Sequence, residues 1–145
     1  MAMIAAALSV GGCYGESGPG PTPGAMDDVI ANIVLQDTAV LHLTSGDAGC
    51  PSSSLHDNAV HLTLVIGAQS ASHEVYLLRW KNQREFDEAQ AEFDRCFTEY
   101  SESHHAPVGA VRVAPWRAYG PFWTAQLETI VVTALRATGG ATPAP

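Results

Sequence analysis

Positively charged residues are scarce in this chain, and their scarcity argues against one large class of partners. The 145 residues include 15 Asp plus Glu but only 7 Lys plus Arg, which gives a formal net charge of −8. The seven cations are spread between positions 79 and 136 without forming a patch. Nucleic acids and anionic lipid headgroups bind to clustered Lys and Arg side chains. We therefore expect no nucleic-acid partner.

Motifs typical of metal binding and of nucleophilic catalysis are also absent from the sequence. Three cysteines lie at positions 13, 50 and 96, too far apart for zinc motifs, whose paired ligands are about two to four residues apart. His56, Asp57 and His61 in "SLHDNAVH" match no zinc-helix spacing, and no G-x-S-x-G nucleophile elbow occurs. The sequence therefore predicts no metal, no cofactor and no catalytic residue. Its hydrophobic content of 46% and charged content of 15% are those of a globular protein.

The segment before the first cysteine has the pattern of an export signal. The apolar run Ile4–Val10 has seven residues, whereas a membrane-spanning helix needs about 20. The run ends in Val10-Gly11-Gly12-Cys13, which resembles the lipobox of bacterial lipoproteins, although no Lys or Arg precedes it. The resemblance implies that residues 1–12 are removed and that Cys13 carries a lipid. The chain would then be anchored to a membrane through Cys13, in the extracytoplasmic part of the cell envelope.

The resemblance also bears on the other two cysteines. If Cys13 is lipidated, Cys50 and Cys96 remain as an even pair in an oxidising compartment, where disulfides persist. The alternative is that both are buried free thiols, which suits a cytoplasmic protein. Residues 13–25, with the repeated Gly and Pro of "GPGPTPG", have the composition of a tether between the lipid and a domain.

Hydrophobic periodicity predicts one α+β domain over residues 26–138, followed by a flexible tail at 139–145. We expect helices over 24–36 and 82–100 and from Thr124 onwards, with Asn82 as an N-cap. Strands are predicted over 38–46, 58–67 and 73–80, with a fourth around Val111 and Val113. The order α-β-β-β-α-β-α indicates a four-stranded mixed sheet with helices packed on one face. The third and fourth strands would be parallel, because a helix connects them.

Strand alternation suggests a possible binding surface on the uncovered face of this sheet. If Leu41 and Leu43 point to the core, the opposite face carries the polar residues of the same strands. These are His42, Thr44, His61, Thr63, Arg79 and Arg112. Such a face could bind an anionic ligand or a partner, or it could simply be the solvated face of the sheet.

The stretch "PWRAYGPFW" is the second candidate surface. It is predicted to be a loop that places Trp116, Tyr119 and Trp123 close together. Such aromatic residues either form the lip of a binding site or cap the core beside the last helix.

These observations favour a lipid-anchored extracytoplasmic domain that binds a protein or a small molecule of unknown identity. One alternative is an extracytoplasmic enzyme that uses the region of His42, His56 and His61. The other is a cytoplasmic module that dimerises through its bare sheet face.

Overall fold

The computed structural model of the chain describes residues 25–139. The predicted signal, the predicted lipid anchor Cys13 and nearly all of the predicted tether lie outside the described residues, as does the predicted tail from residue 140 onwards. Within residues 25–139 the chain forms the predicted α+β architecture, with one sheet and five helices.

The sheet has five strands and not four, and every neighbouring pair is antiparallel. The strands are β1 (Thr38–Ser45), β2 (Ala59–Ile66), β3 (Ser72–Arg79), β4 (Val108–Val113) and β5 (Trp116–Pro121). Their order across the sheet is β1-β2-β3-β5-β4. The predicted mixed sheet is therefore wrong. β3 and β4 do run in the same direction, but β5 lies between them and pairs antiparallel with both.

The additional strand β5 is the segment that was predicted to be an aromatic loop. Its residues are buried on both faces of the sheet, so no polar residue alternates with an apolar one to reveal a period of two. Gly120 and the flanking prolines suggested a loop instead. Gly120 sits where a β-carbon would collide with the backbone oxygen of Glu74 on β3. The glycine therefore allows β5 to approach β3 closely.

The helices are α1 (Met26–Val34), α2 (Ser53–His56), α3 (Gln83–Glu88), α4 (Gln90–Ser103) and α5 (Ala125–Ala137). The predicted cap is confirmed, since the Asn82 side chain accepts a hydrogen bond from the Glu85 backbone N–H at 3.0 Å. The single helix predicted over 82–100 divides at Ala89. None of the helices between residues 25 and 139 has the length and apolarity that a membrane span requires.

The helices cover both faces of the sheet, which corrects the prediction of a one-sided arrangement. Successive residues of a strand point to opposite faces. Leu77 packs in a core with α1 and α5, whereas Leu78 packs in a second core with α2, α3 and α4. We call these the α5 face and the α4 face. Both leucines are fully buried, so β3 has no solvated side at this point.

Edge strand β1 departs from regular alternation. Its register shifts between Val40 and His42, so that Leu41 is the additional residue of a β-bulge. Leu41 is 54% exposed and Leu43 is 48% exposed, so neither is the core residue that was predicted, although Leu43 lies opposite Leu62 on the α5 face. β1 lies at the edge of the sheet, and only its first part is covered: Thr38 is buried and Val40 packs against the core of the α5 face.

Candidate functional site

The register of β1 and β2 brings four of the predicted binding residues together. His42 lies opposite Thr63, and Thr44 lies opposite His61. Residues opposite one another share a face, and His61 lies opposite Tyr76, which belongs to the core of the α4 face. His42 and Thr44 are exposed, and Thr63 is half-buried. A ligand or a partner at this surface stays a prediction.

The two arginines of the predicted set are separated from these four residues. Arg112 lies on the α4 face, but at the far edge of the sheet, where its guanidinium is 3.8 Å from the Asp87 carboxylate. Arg79 lies on the opposite face, because it follows Leu77 by two residues and contacts Trp116 of the α5-face core. The six residues therefore do not form one surface.

His61 is held by groups of its own chain. Its Nδ1 is 3.2 Å from Asp47 Oδ2, and its Nε2 is 3.7 Å from Glu74 Oε1. The imidazole stacks on the ring of Tyr76, with centroids 4.3 Å apart and planes inclined by 11°. His61 thereby connects the loop after β1 to the sheet, and the exposed His42 is the more accessible of the two histidines.

A disulfide fixes the same loop to α4. Cys50 and Cys96 are bonded, which confirms the predicted pair. Beside them the Tyr119 hydroxyl donates a hydrogen bond to the Ala48 carbonyl, and the Tyr119 ring stacks on Tyr76 with centroids 5.0 Å apart. Burial, as the largest cause, raises the pKa values of both tyrosines well above the usual range of a phenol. The loop is therefore attached by one covalent bond and by polar contacts with His61 and Tyr119.

Among the predicted aromatic residues, two belong to the cores and one lies near the surface. Trp116 and Tyr119 are fully buried, on the α5 face and the α4 face respectively. Trp123 is half-buried against Gly109, and its indole N–H donates to Glu128 at 3.2 Å. Trp116 and Tyr119 therefore pack in the two cores and do not line the rim of a binding site.

An open cleft of about 620 Å³ lies where β1 ends, β2 begins and β3 ends. Polar and charged residues meet apolar ones in its walls. They include Met26, Ser45, His56, Asn58, Arg79 and Lys81. Sequence reasoning missed this cleft, since these residues come from four separate segments of the chain. Arg79 has the same strand parity as Leu77, but this parity assigns it to the α5 face only once the fold shows which core each leucine of β3 enters.

Comparison of the chain with models of protein families, with curated proteins and with solved structures finds no match. In the part of the chain from residue 25 to residue 139, no group of three or more His, Cys, Asp or Glu side chains is arranged to hold a metal ion. The function is therefore inferred from the residues themselves and from the geometry that the fold gives them.

Proposed function

We propose that this chain is a lipid-anchored protein of the bacterial cell envelope whose domain binds a ligand or a partner outside the cytoplasm. The observation that carries the proposal is the disulfide between Cys50 and Cys96. Structural disulfides persist in oxidising compartments and are rare in the cytoplasm. Cys13, the remaining cysteine of the three, is the one that follows the lipobox-like residues.

The distribution of polar groups supports a binding role. The α4 face is covered by helices over β3 and β5, but His42 and Thr44 on β1 stay exposed. The cleft at the end of the sheet adds a concave surface with two cationic residues, Arg79 and Lys81. The loop between the β1 surface and the cleft is held by the disulfide and by the Tyr119 hydrogen bond. Neither surface therefore depends on a loose loop for its shape.

The intact mass of the protein, isolated from its native cells without reductant, tests the proposal. We expect the loss of residues 1–12, added acyl mass on Cys13 and a deficit of two hydrogens that reduction restores. A C13S variant expressed in the same cells serves as the control. It should lose the acyl mass and leave the membrane fraction, while the disulfide remains.

An unprocessed chain with three free thiols would overturn the proposal. The cytoplasmic dimerising module would then be favoured, because Leu41 and Leu43 expose apolar surface on the edge strand β1. In that case sedimentation velocity should detect a dimer that a charged substitution at Leu43 dissociates.

A further inference from the structure

We propose that the cleft at the end of the sheet binds a small molecule carrying an oxyanion, a carboxylate or a phosphate group, through the guanidinium of Arg79. The inference rests on the proposed function in one respect, since it takes the domain to be a binding module and names its ligand class. It does not depend on where the chain is anchored.

Arg79 is a cation with no carboxylate partner among residues 25–139. The Arg112 and Arg117 guanidinium groups each approach an aspartate carboxylate, at 3.8 Å in both cases. For Arg79, in contrast, no carboxylate among residues 25–139 lies within 4 Å of the guanidinium. The Nε atoms of Arg79 and Arg117 are both buried without a hydrogen-bond partner, but the terminal nitrogens of Arg117 have Gln90 and Asp94 beside them. A buried donor left without a partner is costly, so a group of this kind indicates a ligand or a bound solvent molecule.

The position of Arg79 is fixed before any ligand arrives. Its backbone N–H donates to the Asn58 carbonyl at 2.9 Å, and the next N–H, that of Trp80, donates to the Pro115 carbonyl at 3.0 Å. The guanidinium carbon lies 5.7 Å from the centroid of the Trp116 ring, at the range of a cation–π contact. Because backbone and side chain are both held, binding an anion requires little further ordering of the protein.

Two further donors line the same cleft. The Nδ1 of His56 accepts a hydrogen bond from the Ala48 backbone N–H at 3.1 Å, so the proton of the neutral ring is on Nε2. Lys81 adds a second permanent positive charge. Asp57 is the opposing group, a carboxylate in the wall of the cleft. The walls therefore carry two positive charges against one negative, in a chain whose net charge is −8.

The size and lining of the cleft indicate the class of ligand. A volume of about 620 Å³ falls within the roughly 300–1,000 Å³ typical of small-molecule sites. Met26 and Val60 contribute apolar surface beside the charged groups. The planar fork of an arginine matches two oxygens of a carboxylate or of a phosphate. A small molecule with one oxyanion and a short apolar part satisfies both features.

An NMR titration of the ¹⁵N-labelled full chain, with its disulfide intact, tests the proposal. The probes are hexanoate and inorganic phosphate, with sodium chloride at equal ionic strength as the reference. We expect saturable shifts of the Arg79 Nε–H and the Trp116 indole N–H with at least one probe. R79M should weaken that binding roughly tenfold or more, the usual range for a charge-assisted hydrogen bond. R84M is the matched control, because Arg84 is an exposed arginine on α3 outside the cleft. The R84M variant should bind the probe with the same affinity as the parent protein.

The two probes distinguish the sources of the oxyanion. Saturation by hexanoate alone assigns a carboxylate, and saturation by phosphate alone assigns a phosphate group. Shifts that follow both probes linearly, as they follow chloride, would overturn the proposal, as would an R79M variant that binds as tightly as the parent.

Two variants at exposed positions keep the test decisive if R79M does not fold. K81M should weaken binding and D57N should strengthen it, because each removes one charge of opposite sign from the walls. If K81M and D57N both bind the probe as tightly as the parent protein does, the proposal is overturned. If the chain binds an anion but is not acylated in cells, the membrane anchor is disproved and the anion-binding proposal stands. The two proposals can therefore fail independently.

Discussion

The disulfide between Cys50 and Cys96 should contribute a large part of the stability of this domain. The perturbation is the double substitution C50A/C96A in a C13A background, which prevents Cys13 from exchanging with the pair. The two cysteines are 46 residues apart in sequence. In the chain-entropy model, closing a loop of this length lowers the entropy of the unfolded chain by an amount worth about 4 kcal/mol at 25 °C.

That contribution is large beside the total stability of a small domain, which is usually about 5–15 kcal/mol. With an unfolding entropy near 2.1 cal/mol/K per residue, a folded unit of about 115 residues should lose roughly 16 °C in Tm. Both cysteines are buried, at 8% and 1% exposure, so the substitutions also remove some packing. The loop carrying Ala48 loses its covalent attachment at the same time, although the Tyr119 hydrogen bond remains.

Urea unfolding followed by fluorescence provides the assay, since Trp80 and Trp116 are buried and report on both cores. The free energy of unfolding is compared at one temperature for three samples. These are C13A with its disulfide, C13A after reduction, and C13A/C50A/C96A. Reduction should reproduce most of the loss, because it opens the loop without deleting the sulfur atoms. A loss below about 1 kcal/mol after both treatments would refute the loop-closure argument. A loss confined to the alanine variant would assign the effect to packing.

Three further predictions concern the loop and the tyrosines beneath it. G49A should destabilise the domain by roughly 3 kcal/mol or more, because Gly49 has a φ of 76° and a β-carbon there would collide with Tyr119 and Tyr76. Y119F should cost about 1–2 kcal/mol, because it leaves the buried Ala48 carbonyl without its donor. Burial raises the pKa values of Tyr76, Tyr100 and Tyr119, so unfolded tyrosines ionise first, and the free energy of unfolding should fall as pH rises above about 10.

Each of these predictions has a control. Gly46 has a similar φ of 78° but open space around its β-carbon position, so G46A should cost only about 1–2 kcal/mol. Equal losses in G46A and G49A would contradict the steric argument. Y119F should spare the core packing, so a loss as large as that of Y119A would show that the hydroxyl is not the important group. The chain has one further tyrosine, Tyr14, outside the described residues, so a Y14F variant leaves only Tyr76, Tyr100 and Tyr119. The phenolate absorbance of this variant should rise together with unfolding, and a rise near pH 10 in the folded state would contradict the tyrosine argument.

Four of the five strands, and every helix except the short α2, follow from local pattern, although α3 and α4 were predicted as one helix. The apolar stripe Phe93, Cys96 and Tyr100 recurs at helical spacing and is the buried side of α4. From Val60 onwards β2 alternates buried residues with half-buried ones. α4 and β2 are readable because each has one covered and one more open side, which leaves a period in the sequence. Local pattern did not reveal β5, since both of its sides are covered.

For the candidate site, too, some features follow from the sequence and others follow only from the tertiary structure. The sequence by itself determined which residues can form strands, which cysteines remain to pair once Cys13 is set aside, and which few cations the chain possesses. Only the tertiary structure decided that Arg79 lies on the α5 face over Trp116, apart from His42 and His61, and that it shares a cleft with His56 and Lys81. Strand order, bulges and the covering of a second face are settled by contacts between segments far apart in the chain. A local pattern of apolar and polar residues therefore specifies the elements, and the packing of the elements specifies the site.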